Sequence, residues 1–168
     1  MSQTIRYITI NLLELGELIM KMTPELTRVQ KKMAPGNITS TGFLGEDSRS
    51  LADIIQADEE AAAALGLDWD VLSEKLAFFL KQAKGGLEQP VTIENKWVVT
   101  IKEARGFLPC PFADGLFRKH TVEVKHIPSQ LIINFSELSL HLLKVHHFLQ
   151  GKGSPFRLEP LELKKVSE

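Results

Sequence analysis

Val91-Thr-Ile-Glu-Asn-Lys-Trp-Val-Val-Thr-Ile-Lys-Glu-Ala-Arg105 is where the chain changes its hydrophobic period. Trp97, Val99 and Ile101 alternate with Val98, Thr100 and Lys102, and a period of two sends one face of a strand into a core. Val91–Glu94 and Trp97–Arg105, joined through Asn95-Lys96, read as a hairpin. Downstream, Phe117–Ile127 and Leu131–Phe135 read as two more strands. Ser136 then reads as the N-cap of a helix over 137–150, with Phe135 and Leu140 spaced as a hydrophobic staple and Gly151 as its stop. Pro155 and Pro160 predict an extended tail, pinned by Phe156, Leu158, Leu161 and Leu163.

Upstream of this stretch the period is helical. Leu51, Ile54, Ile55, Ala61, Ala62 and Leu65 share one face of a segment over 48–65. Asp58 falls within that apolar stripe. A buried unpaired carboxylate is costly, so Asp58 reads as the cap of a second helix that carries Glu59 and Glu60 in its first turn. Leu65-Gly66-Leu67-Asp68 reads as a helix–turn–helix join. Leu72, Leu76, Phe79, Leu80 and Ala83 form the stripe of the next helix, which Gly85-Gly86 stops, while Val71 and Phe78 lie on its other side. Ile5, Ile8, Leu12, Leu15, Ile19, Met22, Leu26, Val29 and Met33 keep a 3-4 spacing like the seam of a heptad repeat. Thr23-Pro24 kinks or divides it. These patterns predict a helical dimerisation arm over 1–34 and an α+β domain over 35–168, with N-terminal helices, a roughly four-stranded antiparallel sheet and a C-terminal helix.

Composition narrows the function classes. The 168 residues carry 20 Lys plus Arg against 21 Asp plus Glu, for a net charge of −1. The charge is unevenly placed: +2 over 1–34, −6 over 35–88 and +3 over 89–168. No segment is basic enough for a phosphate-backbone footprint, and the acidic middle repels nucleic acid. No apolar run approaches the ~20 residues of a membrane span, and the start lacks a signal-peptide pattern. One cysteine excludes a disulfide framework. A cytoplasmic protein that avoids membranes is the expectation.

The residues that can carry chemistry cluster late. All five histidines lie between His120 and His147, and Cys110 is the lone thiol. His120 and His126 share the face of Val122 and Val124 but stand about 20 Å apart along a strand, so they cannot share one ion. On the helix that follows, His141 lies about 60° to one side of the Leu138, Leu142, Val145, Leu149 stripe and His146 about 80° to the other, so the i, i+4 spacing of a helical metal pair is absent. His147 points away from the stripe. Cys110, fixed between Pro109 and Pro111, can be a nucleophile, a metal ligand or a small buried hydrophobe. Glu103 and Arg105 prolong the core face of Trp97, Val99 and Ile101 toward the Cys110 loop. There they either pair or line a pocket in which Arg105 holds a carboxylate or phosphate. Gly151-Lys-Gly-Ser-Pro-Phe-Arg157 follows a helix C-terminus, so it lacks the positive end that a phosphate cradle needs.

Three functions follow as expectations. The first is an intracellular homodimeric sensing or regulatory module that binds a small ligand, an anion or a divalent transition metal. Its pocket is built from Glu103, Arg105, Cys110, His120 and His141, with His146 as a further metal ligand. The second is an enzyme in which Cys110 attacks and a histidine takes its proton. The third is a DNA-binding helix-turn-helix regulator over Ala61–Leu76, against which Asp68 and Asp70 argue by placing carboxylates where bases and phosphates would meet the helix.

Overall fold

A computed structural model describes residues 20–168. The helices α1 (Pro24–Lys32), α2 (Leu51–Ala64) and α3 (Trp69–Gly85) come first. Strands β1 (Val91–Ile93), β2 (Trp97–Lys102), β3 (Phe107–Pro109), β4 (Leu116–Arg118), β5 (Thr121–His126) and β6 (Leu131–Ser136) follow, and then helices α4 (Glu137–His146) and α5 (Pro160–Ser167). The mixed α+β class read from the sequence is the observed one. No helix among the described residues is long and apolar enough to cross a membrane.

The main sheet is antiparallel, in the order β1-β2-β5-β6. Val99 pairs with Val124, and Val124 with Ile133, so the valines of β2 and β5 stack across the sheet. Glu94 and Asn95 both take positive φ in the β1–β2 turn, the geometry that matches strand twist. One face of the sheet is buried. Ile93, Trp97, Val99, Ile101, Val122, Val124, Ile133 and Phe135 pack on Leu72, Leu76, Phe79 and Ala83 of α3 and on Leu163 and Val166 of α5. The opposite face carries Thr92, Thr100, Glu123, Lys125 and Asn134, none of them buried, as expected of a sheet covered on one side.

A second core lies beside the first. Met33, Phe43, Leu51, Ile54, Ile55, Cys110, Leu138, Leu142 and Phe148 form it, with Leu26 and Val29 of α1 and Leu108, Phe112 and Phe117 of the β3–β4 hairpin packed against it. Helix α4 serves both cores, giving Leu143 to the first and Leu138 and Leu142 to the second. Its start is fixed as the sequence predicts. Ser136 and Ser139 form a reciprocal capping box, and Phe135 and Leu140 pack on the first core. At the described end of the heptad-like seam Leu26, Val29 and Met33 pack within the chain and Met22 is exposed, whereas Ile5, Ile8, Leu12, Leu15 and Ile19 lie outside the described residues.

Several local expectations are corrected. Phe117–Ile127 is not one strand. Leu116–Arg118 pairs with Phe107–Pro109 in a separate hairpin, and the chain joins the main sheet only at Thr121. Strand β2 ends at Lys102, where its partner β5 begins. Asp58 caps nothing. It lies mid-helix in α2 and receives Arg157 bidentately, Nη2 to Oδ1 at 2.7 Å and Nη1 to Oδ2 at 2.9 Å. Arg157 also donates to Glu159 Oε1 and to the Gln150 carbonyl, so the buried charges are paired and saturated. Helix α4 stops at His146, not Gly151, because His147 takes a left-handed conformation (φ 48°) and Phe148 turns into the second core. Gly151 instead permits a close backbone approach, since a Cβ there would meet the Leu44 carbonyl oxygen at 2.1 Å. The tail is helical: Pro160 opens α5, whose Leu163 and Val166 are buried.

Candidate metal centre

The β3–β4 hairpin sits on α4, and four donor side chains meet at that junction. Cys110 begins the hairpin loop, where its N–H donates to the Gly115 carbonyl and its carbonyl accepts from Ala113 N–H, both at 2.9 Å. Ala113 takes positive φ (63°), which closes the loop and brings Asp114 back over the cysteine. His141 and His146 rise from α4 to meet them. Ligating atoms of Cys110, Asp114, His141 and His146 all lie within 4.8 Å of one another.

The contacts converge on a single point. His141 Nε2 lies 2.9 Å from Asp114 Oδ1, His146 Nε2 lies 2.8 Å from Asp114 Oδ2, and Cys110 Sγ lies 3.9 Å from the same His146 Nε2. A tetrahedral zinc site with bonds of about 2.0–2.3 Å has edges of about 3.3–3.8 Å, so adjustments of up to about an ångström place all four donors on one shell. The set combines thiolate, carboxylate and two imidazoles, a mixture that suits zinc among the divalent ions.

The rings are held from behind. Phe112 stacks on His146 with centroids 3.8 Å apart and planes within 5°, and Phe117 lies tilted over His141 at 4.4 Å. Both phenylalanines belong to the hairpin that supplies Cys110 and Asp114, so one element provides two ligands and orients the other two. Outer contacts that fix imidazole planes strengthen metal sites in this way.

Charge follows from position. Cys110 is 2% exposed, and burial, aided by the carboxylate of Asp114, pushes its thiol up to about 12. Backbone N–H groups of Phe112 and Asp114 oppose that shift by bonding the sulfur, a preparation for negative charge that a cation would complete. Asp114 is held well below the usual carboxylate range. Burial acts to raise it, but hydrogen bonds from Cys110, His141 and His146 outweigh that effect. Burial lowers His146 against the pull of Asp114, which favours the neutral, ligating ring.

The same geometry argues against a nucleophilic triad. In a Cys–His–Asp relay the thiol and the carboxylate engage opposite ring nitrogens, so that one orients the ring while the other takes the proton. Here Cys110 and Asp114 both face Nε2 of His146. A buried thiol with so high a pKa is also a poor nucleophile at neutral pH.

The candidate residues named from the sequence separate accordingly. Cys110, His141 and His146 come together. Two histidines five residues apart stand about 140° apart on a helix, but the two oxygens of one carboxylate accept from both. His120 does not join them; it is buried at the start of β5, 3.7 Å from Glu137 Oε1. His126 is buried at the other end of β5 against Trp97. His147 stacks on Trp69 and pairs with Glu59. Glu103 and Arg105 are exposed beyond the end of β2 and reach neither the core nor the cluster, because the chain leaves the sheet at Lys102 to build the hairpin.

Asp114 is the cluster member that sequence reasoning missed. Its signal was present: Asp-Gly at 114–115 between Phe107–Pro109 and Leu116–Arg118 is hairpin chemistry, and a hairpin there pairs Cys110 with Gly115 and keeps Asp114 in the loop beside them. No protein-family model, curated protein or solved structure matches the chain, so the chemistry of the site rests on its own residues.

Proposed function

We propose that the chain is a metal-binding regulatory module in which Cys110, Asp114, His141 and His146 hold one divalent transition ion, zinc by preference. The observation that carries this reading is the convergence of a thiol, a carboxylate and two imidazole Nε2 atoms within 4.8 Å, two from a hairpin and two from a helix. Four protein donors saturate a tetrahedral ion, which favours a structural or sensing role over an open catalytic one. Asp114, at 36% side-chain exposure the most accessible donor, is the ligand that water could replace. A reducing cytoplasm suits such a site, because it keeps a lone thiol free. The N-terminal seam remains the proposed pairing arm, and sedimentation of the chain with and without residues 1–22 tests it.

Metal titration tests the site. Zinc or cobalt added to the purified, chelator-treated chain should bind at one ion per chain, and cobalt should give the intense ligand-field and thiolate charge-transfer bands of a tetrahedral sulfur-containing shell. His141→Ala and Asp114→Ala should each weaken binding by about 100-fold, the scale for losing a ligand or its support. Cobalt bands identical in wild type and Cys110→Ser, or no stoichiometric binding at all, would sink the proposal.

A further inference from the structure

We infer a second site, for a small organic carboxylate with an apolar body, in the cavity beside His120. The cavity has a volume of about 320 Å³ and is walled by five separate segments. They are the 38–43 loop after α1, Leu108 of β3, the 119–121 link between β4 and β5, the start of α4, and the chain beyond α4 at Gln150 and Phe156. Its size sits at the lower end of the range for small-molecule sites. The metal cluster is elsewhere, although Leu108 of the hairpin and Leu138 of α4 line the cavity wall.

His120 supplies the first reason. The residue is 8% exposed, and its Nδ1 is enclosed with no hydrogen-bond partner, 3.7 Å from Glu137 Oε1 and so beyond bonding range. Among the described residues Nε2 has no partner either, and the ring forms part of the cavity wall. An enclosed ring nitrogen with no partner costs free energy, and Nε2, which is not enclosed as Nδ1 is, is the ring atom left open to a ligand in the cavity. An acceptor placed in the cavity satisfies Nε2–H. Glu137, anchored by Lys84 at 2.5 Å, lies near the opposite nitrogen without bonding it.

The lining supplies the second. Lys119 is the formally charged residue of the wall, and no carboxylate lines the cavity. Lys119, His120 and the Thr41 hydroxyl are donors in the lining that fit an oxyanion, while the Thr39 hydroxyl donates to the Gly42 carbonyl. Phe43, Leu108 and Phe156 are apolar members of the same lining. A wall that combines one cation with aromatic and aliphatic surface favours a carboxylate with a short hydrocarbon body over a free inorganic ion. The loop that presents the Thr41 hydroxyl is fixed by Gly42, whose φ of +68° and near contact with the Met33 carbonyl oxygen (2.5 Å from a Cβ) exclude a side chain.

Hexanoate is the probe, with hexan-1-ol as its neutral isostere and inorganic phosphate as the anion without a body. The full chain, metal-loaded, is titrated while the His120 imidazole resonances are followed by NMR. Hexanoate should move them saturably, and hexanol and phosphate should leave them unmoved. Lys119→Ala, an exposed substitution that leaves the core intact, should weaken hexanoate about tenfold, the worth of one charge-assisted hydrogen bond. His141→Ala should leave hexanoate binding unchanged, so that failure here is told apart from failure of the metal site. Equal binding of hexanol, a response to phosphate alone, or no saturable shift at His120 would each overturn the inference. Lys119→Glu, which reverses the charge in the lining, should abolish the hexanoate response.

Discussion

The two cores of this molecule are built on different principles. The first joins a regular sheet to α3 and α5 through apolar side chains at fixed periods, and its histidine, His126, is an enclosed ring with Nε2 unpartnered. The second wraps α1, α2 and α4 around a short hairpin and contains the thiol of Cys110, with the polar cluster at its edge. The first needs only burial to be stable. The second depends on contacts that are few, polar and specific, and so it is the part a ligand can control. Regular burial makes scaffold, and irregular chain carried by that scaffold makes sites.

The largest expected effect tests the scaffold side of this contrast. Phe79 is fully buried, packed on Trp97 at 5.6 Å between centroids. Phe79→Ala should cost about 3–5 kcal/mol, equally with and without zinc, as read from urea unfolding. A loss that zinc repairs would show that the two cores are not distinct.

Next comes the junction between α2 and the tail. Asp58→Ala leaves Arg157, whose side chain is only 6% exposed, with Glu159 and the Gln150 carbonyl as its remaining partners. The expected cost is about 3 kcal/mol, the scale for breaking a buried ion pair on one side. Asp58→Asn, which keeps an acceptor, should cost less. Equal, small losses for both would mean that the pair contributes little to holding the tail.

Metal should act more locally. Zinc at a hundredfold excess over its dissociation constant stabilises by about 2.7 kcal/mol through mass action. Its removal by a chelator should speed amide exchange over 107–118 while leaving β2 and β5 protected. Uniform acceleration across both cores would blur the boundary drawn here.

The smallest effect belongs to pH. Burial, assisted by Lys96 and opposed by Glu168, lowers the pKa of His126 in the folded chain. The unfolded chain therefore binds the extra proton at higher pH than the folded one. This contribution to stability is complete above the ordinary histidine value of about 6.5 and is lost as the pH falls below it. His126→Gln should flatten the decline in unfolding midpoint between pH about 7.5 and about 5. An unchanged slope would show that another group sets it.

Legibility followed the same division. Trp97, Val99 and Ile101 on β2, and Val122, Val124 and His126 on β5, are buried on one face as their alternation predicts, and His120, just before β5, is buried as well. Ser136 and Asp68 cap the helices they were expected to cap. Errors arose where one residue type served a distant partner. Asp58 sits in an apolar stripe because Arg157 reaches it from 99 positions away, and no local pattern contains that pairing. Glu103 and Arg105 continued a strand on paper that the chain had already left.

By itself the sequence determined the periods, the caps and the turn residues, and through them the α+β class and the face of each strand that is buried. Those properties depend on neighbours within one or two turns of chain. Only the tertiary structure decided that His141 and His146 share Asp114, that Cys110 joins them, and that His120 faces a different cavity. Such meetings depend on where the β3–β4 hairpin lands on α4, and that is set by the packing of a whole core.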